Sequence, residues 1–348
     1  MTEKVLVTGG NGFLGLNILA ELLTQGFEVR STLRNLDKQG GVVETLQQSH
    51  VPNLDRLSFA QADLSKDAGW DEAMQGITYV LSVASPVFMN ADHPAEMERA
   101  AKDGTLWILK AADNAHVKRV VMTANFGAVG FSNFDHHSIT DEADWTNPDE
   151  PGLSPYEKSK LLAEQAAWHY IQQSPSNMEL TTVNPVAILG PALDHHVSGS
   201  FGVVKGVVDG SSKRTVNLEL NLVDVRDVAD LHVRAMTNPK AAGERFIASA
   251  DGKISLPEIG RLVQQKRPAL ANQVATKILP NWLISLAAPF NERAKEGRLL
   301  LRMNRNVSNQ KAKRLLGWQP QHDNAEIVLD TVDAMVANGM VSNSVTKS

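Results

Sequence analysis

The sequence predicts an α/β fold, a doubly wound parallel sheet with helices on both faces and a smaller, mostly helical C-terminal part. Two observations carry this prediction. A glycine-rich segment, Thr8-Gly9-Gly10-Asn11-Gly12-Phe13-Leu14-Gly15, stands between a short apolar strand and an amphipathic helix, where a Rossmann fold places its dinucleotide-binding turn. Strand and helix signals then alternate through the first half of the chain, the order that builds parallel sheets with crossover helices.

The elements follow in order. Val5 to Thr8 is a buried strand, and Phe13 to Gln25 is a helix with apolar positions at Leu14, Ile18, Leu19, Leu22 and Leu23, the spacing of one helical face. Further strands are expected at Glu28 to Leu33, Leu57 to Ala60, Tyr79 to Val83, Arg119 to Thr123 and Leu180 to Asn184. Helices fit between them at Leu36 to Gln48, Trp70 to Met74, Pro94 to His116 and Pro155 to Gln173. Beyond these, Pro191 to Leu220 reads as a loop-rich insertion, Asp224 to Asn238 as a helix with its lead-in, and Glu244 to Ala248 as another strand. Helices dominate from Ser255 onward. Residues 1–190 and 224–250 are therefore expected to form the nucleotide-binding domain. Residues 191–223 and 251–348 would form an interleaved substrate-binding cap over the carboxyl ends of the strands, where such folds bind ligands.

Composition narrows the function classes. The chain has 348 residues, 43% hydrophobic and 21% charged, as expected of an ordinary globular protein. A net charge of −5 argues against nucleic acid or an anionic membrane as a partner, because both favour basic surfaces. With no cysteine there is no disulfide framework. Met1 leads almost directly into the first strand, so neither a signal nor a transit peptide is expected and the expected location is the cytoplasm. The longest apolar stretch, near Trp282 to Phe290, is too short to span a bilayer.

Two motifs carry chemistry. Gly10-x-Gly12-x-x-Gly15 and Gly9-x-x-Gly12-x-x-Gly15 both occur in the turn. Glycines there allow a tight turn, a close approach of backbone to pyrophosphate, and close helix packing, with the helix N-terminus facing negative charge. Tyr156 and Lys160 are four residues apart, so on a helix they share a face. An ammonium beside a phenol is expected to lower the phenol pKa by ~1 to 3 units, which suits it to proton exchange with a carbonyl oxygen. At the end of the second strand stands Arg34, with Lys38 one turn on. An arginine there accommodates a 2′-phosphate, whereas an acid would hold the 2′-hydroxyl of NAD, so NADPH/NADP+ is the expected cofactor.

These residues resemble the extended short-chain dehydrogenase/reductases, and within them the dihydroflavonol reductase-like aldehyde and ketone reductases. The resemblance runs through Val5-Leu6-Val7-Thr8-Gly9, Ala62-Asp63-Leu64, Val83-Ala84-Ser85-Pro86, Tyr156 and Lys160, and Val183-Asn184-Pro185 with Gly190-Pro191. It continues in Val223-Asp224-Val225-Arg226-Asp227-Val228-Ala229 and Leu316-Gly317-Trp318-Gln319-Pro320. It implies that Tyr156 donates the proton and that Lys160 binds the nicotinamide ribose while lowering the Tyr156 pKa. Asp63 and Leu64 would lie along the adenine, Ala84 and Ser85 near the cofactor ribose and pyrophosphate, and Pro185 beside the nicotinamide. The cofactor set is thus Gly9, Gly12, Phe13, Leu14, Gly15, Arg34, Lys38, Asp63, Leu64, Ala84, Ser85, Tyr156, Lys160 and Pro185. The catalytic set is Tyr156, Lys160 and Asn125.

Asn125 is where the chain departs from the family. Related enzymes read Thr-Ser-Ser after the fifth strand, and this chain reads Thr123-Ala124-Asn125. An amide can donate a hydrogen bond to a carbonyl but cannot relay a proton; a shifted role for Thr123 is the other reading. Val87, Phe88, Phe126, Phe131 and Leu193 are candidates for an apolar pocket around the substrate, a small carbonyl compound or alcohol. The expected activity is reversible, NADPH-dependent reduction of an aldehyde or ketone. Two alternatives stand beside it: a nucleotide-sugar epimerase or dehydratase of the same fold, and an NADPH-binding sensor or scaffold that has lost its chemistry at Asn125.

Other features carry less. His136-His137 and His195-His196 lack the spacing of metal ligands and no organised carboxylate cluster accompanies them, so no metal is expected. Asp141-Glu142 reads as a solvated loop, because sequence neighbours point apart. Trp282, Leu286 and Phe290 share a helical stripe that reads most simply as core or lid, with a homodimer contact as the further reading. Trp318 reads as a core anchor.

Overall fold

The computed structural model describes residues 3–85 and 94–342. In chain order the first half runs β1 (Lys4–Thr8), α1 (Phe13–Thr24), β2 (Glu28–Leu33), α2 (Gln39–Gln48), β3 (Leu57–Gln61), α3 (Trp70–Met74), β4 (Tyr79–Ser82), α4 (Pro94–Asn114), β5 (Arg119–Thr123), α5 (Pro155–Gln173) and β6 (Glu179–Pro185). There follow β7 (Ala187–Leu189), α6 (Phe201–Val208), β8 (Arg214–Val216), β9 (Glu219–Leu220), β10 (Leu222–Asp224), α7 (Val225–Thr237) and β11 (Arg245–Ala248). The chain continues with β12 (Ile254–Ser255), α8 (Leu256–Lys266), β13 (Lys277–Leu279), α9 (Asn281–Ala287), α10 (Glu292–Arg302), α11 (Gln310–Leu316) and α12 (Asn324–Ala337).

Seven strands form the central sheet in the order β11-β6-β5-β4-β1-β2-β3, and every pairing in it is parallel. The order reverses beside β1, between β4 and β2, which opens the crevice where doubly wound sheets take ligands. The middle of the sheet is apolar: Val5, Leu6, Val7, Val80, Leu81, Val120 and Val121 of β1, β4 and β5 are all buried. Such continuous runs are expected of strands covered on both faces.

The insertion at 191–220 is more ordered than the sequence suggested. It holds the helix α6 and the short strands β8 and β9, and Phe201 in α6 packs edge to face on Phe13 in α1, with ring centroids 5.3 Å apart. The segment Leu36–Lys38 is a 3₁₀ turn rather than the start of α2, because Asn35 caps it by accepting from the Asp37 amide at 2.9 Å. Trp318 is fully buried and donates to the Asp227 carbonyl at 3.0 Å, so it is a core anchor.

Two sequence readings are corrected. Trp282, Leu286 and Phe290 are 63%, 65% and 90% exposed, so they are not core; α9 is too short to bury its stripe while it packs on α10. Glu142 is not a solvated loop residue but is buried, accepting from the Ile247 amide at 2.9 Å. Among the described residues no helix is long and apolar enough to cross a membrane.

Candidate active site

The glycine turn is built as a cradle. Gly9 has a φ of +69° and lies against Ala84, a conformation that side chains with a Cβ rarely adopt. A Cβ on Gly15 would stand 2.3 Å from the Gly9 carbonyl oxygen, so α1 can approach the turn only with glycine there. Gly12 differs: a Cβ on it would touch only the Gly9 oxygen, at 3.4 Å. The protein leaves space above it. Gly12 is also the N-cap of α1 and supplies no side-chain cap, and the first turn of α1 holds no acid. The amides of the first turn thus face outward as an anion site. Phe13 and Leu14 are buried in the core through their side chains, so only their backbone groups are available to a ligand.

Arg34 and Lys38 are both exposed at the end of β2 and in the 3₁₀ turn after it. Neither forms an ion pair among the described residues. Asp63 accepts from the Ser65 amide at 2.9 Å, which fixes the loop after β3. Leu64, Ala84, Thr123 and Lys160 meet around a cavity of about 10 Å³, room for one water. Pro185 ends β6, beside Ala248 of β11. The uncapped cradle, the space over Gly12 and the unpaired cations fit a phosphorylated dinucleotide.

Ser154 caps α5 by accepting from the Glu157 amide, and Pro155 occupies the first turn, where its fixed φ suits a helix start. This start turns Lys160 inward and leaves Tyr156 half-buried on the same face. Lys160 is 5% exposed and donates to the Thr123 carbonyl at 2.7 Å. Burial lowers its pKa to about 8, opposed by the carboxylate of Glu164 one turn on.

Tyr156 departs from the sequence expectation. Its pKa is raised, not lowered, because burial outweighs everything else, and the nearby Glu157 carboxylate pushes the same way. The opposing groups are the side chains of Asn125 and Ser85, which face the phenol oxygen; the Lys160 ammonium is turned to Thr123 instead. A phenol with a raised pKa stays protonated at neutral pH, the state a proton donor needs.

Asn125 has two tasks, one for each end of its amide. Its oxygen accepts from the Gly127 amide and caps a 3₁₀ turn at Phe126–Ala128. That bond fixes the orientation, so the NH₂ is the end available to Tyr156. Thr123 is not the substitute. Its hydroxyl is bonded to His232 Nε2 at 2.8 Å. His232 Nδ1 faces the Val228 carbonyl at 2.8 Å and must carry the proton, so Nε2 accepts from Thr123. Burial holds His232 neutral, with its pKa down to about 4.

Behind Lys160 lies a buried network that the sequence reading missed. Glu164 has no exposure and pairs with Arg245 at 2.8 Å. It also accepts from Thr182 at 2.9 Å and Asn184 at 2.8 Å, and Asn184 donates onward to the Asn125 carbonyl at 3.3 Å. The spacing Tyr156, Lys160, Glu164 was a usable signal, since all three fall on one helical face. Of the pocket candidates, Phe126 and Phe131 stack edge to face at 6.4 Å and Leu193 packs on the main core; Val87 and Phe88 lie outside the described residues. His196 Nδ1 bonds the Asp194 carboxylate at 2.7 Å, so one carboxylate stands beside this histidine pair. The ligand atoms of Asp194, His195 and His196 lie within 4.8 Å of one another.

The fold and this site define a dinucleotide-binding α/β protein with a tyrosine–lysine pair on α5, its lysine buried and anchored at the carboxyl end of β5. The sequence profile of the NAD dependent epimerase/dehydratase family matches residues 5–248, and the chain belongs to that family. It is 34% identical to cinnamoyl-CoA reductase 1 of Arabidopsis thaliana over 255 residues, 71% of each chain. It is 31% identical to the ketoreductase azaE of Aspergillus niger over 300 residues, covering 81% of this chain and 87% of the relative. The crystal structure of the yeast methylglyoxal/isovaleraldehyde reductase Gre2 complexed with NADPH shares the fold. It superposes with a TM-score of 0.79 at 24% identity over 97% of this chain and all of that one.

Proposed function

We propose that this protein is an NADPH-dependent carbonyl reductase that converts a small aldehyde or ketone to the alcohol, reversibly, with Tyr156 as the proton donor. The observation that carries the reading is the half-buried Tyr156 on one face of α5 with the buried, Thr123-anchored Lys160, and the Asn125 amide held by Gly127 as a neighbour of its phenol. The named activities of the curated relatives, reduction of cinnamoyl-CoA and of a ketone, support the same class. Residues 1–190 and 224–250 act as the nucleotide-binding domain, and 191–223 with 251–348 as the cap.

The cofactor would be held by the backbone of Gly9, Gly12, Phe13, Leu14 and Gly15 at its pyrophosphate, and by Arg34 with Lys38 at its 2′-phosphate. Asp63, Leu64, Ala84, the backbone of Ser85, Lys160 and Pro185 complete the seat. The bound cofactor supplies the hydride that reaches the carbonyl carbon. As that bond forms, negative charge develops on the substrate oxygen. Tyr156 gives its proton to this oxygen while the Asn125 amide orients it, and Lys160, anchored on Thr123, supplies the positive charge near the phenolate that is left.

The test follows NADPH and NADH absorbance with purified protein against methylglyoxal, isovaleraldehyde, cinnamoyl-CoA and a broader set of aldehydes and ketones. Oxidation of NADPH in preference to NADH on at least one carbonyl is expected. Tightly retained NAD with no net oxidation would instead mark an epimerase, and tight NADPH binding without turnover on any carbonyl would mark a sensor or scaffold.

A further inference from the structure

Ser85 lies three residues past the carboxyl end of β4. Its hydroxyl oxygen is buried with no hydrogen-bond partner among the described residues, and it is a neighbour of the Tyr156 phenol. An unpaired buried polar atom is costly, so each one calls for an explanation. Thr8 spends its oxygen on the amides of Val83 and Ala84, both at 2.9 Å, which holds the β4 end rigid beside Gly9. The approach of Ser85 to Tyr156 does not complete a bond of normal geometry.

The hydroxyl and the phenol are therefore neighbours with no hydrogen bond completed between them, and the Asn125 side chain is the phenol's other polar neighbour. Two of these three groups can donate and accept, and the amide NH₂ only donates. We infer that Ser85 is a catalytic residue whose hydroxyl donates to the same substrate oxygen that Tyr156 protonates. It supplies the hydroxyl that Asn125 does not. The inference rests on the carbonyl-reductase reading. It goes further in assigning the Ser85 side chain to the reacting oxygen rather than to the cofactor's ribose or pyrophosphate.

In the reduction, hydride adds to the carbonyl carbon, the C–O π pair moves to oxygen, and the Tyr156 proton completes the alcohol. Ser85 keeps its own proton and contributes a hydrogen bond that strengthens as charge grows. A well-placed donor of this kind is worth ~10² to 10³ in rate; with Asn125 and Tyr156 on the same oxygen, a loss of about 10- to 100-fold is expected.

The experiment compares wild type, Ser85→Ala, Ser85→Thr, Asn125→Ser, the Ser85→Ala/Asn125→Ser pair and Tyr156→Phe. It measures kcat/KM for a reduced carbonyl, NADPH affinity by fluorescence titration, and melting temperature. Ser85→Ala should lose the stated activity with NADPH affinity unchanged and melting temperature unchanged or higher, since an unpaired buried oxygen is removed. Ser85→Thr should keep most activity. Asn125→Ser places a hydroxyl beside the same phenol, so in the pair it should restore at least ten-fold of what Ser85→Ala lost, a rescue that a purely structural serine would not show. The inference is overturned if Ser85→Ala keeps more than half of wild-type kcat/KM, if its loss is matched by a loss of NADPH affinity, or if neither hydroxyl variant recovers activity. Full activity of Tyr156→Phe would instead overturn the reductase mechanism itself, independently of Ser85.

Discussion

Replacing Glu164 by glutamine tests how the site is held. Glu164 is fully buried and accepts from Arg245 Nε at 2.8 Å and Nη2 at 3.4 Å, Thr182 Oγ1 at 2.9 Å, Asn184 Nδ2 at 2.8 Å and Trp168 Nε1 at 3.3 Å. Arg245 in turn donates to the carbonyls of Glu142 and Asp144 and lies 3.7 Å over the Trp145 ring. Glutamine keeps the volume, so no cavity opens. It removes the charge and turns a donor toward donors, leaving the guanidinium unpaired in the interior. Breaking one side of such a pair costs ~3 to 5 kcal/mol. Unfolding entropy of about 2.1 cal/mol/K per residue gives about 0.7 kcal/mol/K for this chain, so the melting temperature should fall by ~4 to 7 °C. Thermal melts followed by circular dichroism, with urea unfolding as a second measure, are the assay. A cycle with Arg245→Met should show coupling of at least ~1.5 kcal/mol between the two positions. Glu164 is also the acid that holds the Lys160 pKa up against burial. Its loss lets that pKa fall further, and the alkaline limb of kcat/KM should move to lower pH. A stability loss under ~1 kcal/mol, or additive costs in the cycle, would refute the reasoning.

Three further outcomes are expected. Arg34→Ala should weaken NADPH roughly ten- to a hundredfold while sparing NADH, the value of a charge-assisted bond to the 2′-phosphate; equal losses measured by titration would remove Arg34 from that role. Gly15→Ala should lower both NADPH affinity and melting temperature, because its Cβ would sit 2.3 Å from a backbone oxygen that cannot move aside; a variant binding NADPH like wild type would contradict the cradle. Glu157 has its pKa raised to about 7 by burial, with Glu296 adding to the shift. The fold thus favours its neutral form, and that contribution, present below the ordinary carboxylate range, is lost as pH rises through about 7. Glu157→Gln should therefore match wild type in melting temperature near pH 5 and exceed it at pH 8, by no more than ~3 kcal/mol in stability. A difference that does not change with pH would rule this out.

The parts legible in the sequence are those governed by local signals. Val5 to Thr8 and Phe13 onward announce a strand, a glycine turn and a helix through apolar period and backbone permission, and Ser154-Pro155 marks the start of α5. Helix α6 reads as loop in the sequence because Gly202 and Gly206 interrupt a short apolar run whose partner, Phe13, is remote in sequence. The same distance hides the site's supports. Nothing local to Glu142 says that the Ile247 amide will cover it, and nothing beside Thr123 says that its hydroxyl will turn to His232. The phenol pKa departs from what the spacing implies for a related reason. Helical spacing brings Lys160 to the right face, but the Thr123 carbonyl takes its ammonium, and burial then sets the direction for Tyr156.

The most direct test of the account is Tyr156→Phe, which removes one transferable proton and almost no volume. NADPH oxidation with a carbonyl that the wild type reduces, measured beside NADPH affinity on the same preparations, gives the answer. The account predicts a fall in kcat/KM of ~10² to 10⁴ with NADPH affinity nearly unchanged. A variant that keeps more than about half of wild-type activity would contradict it.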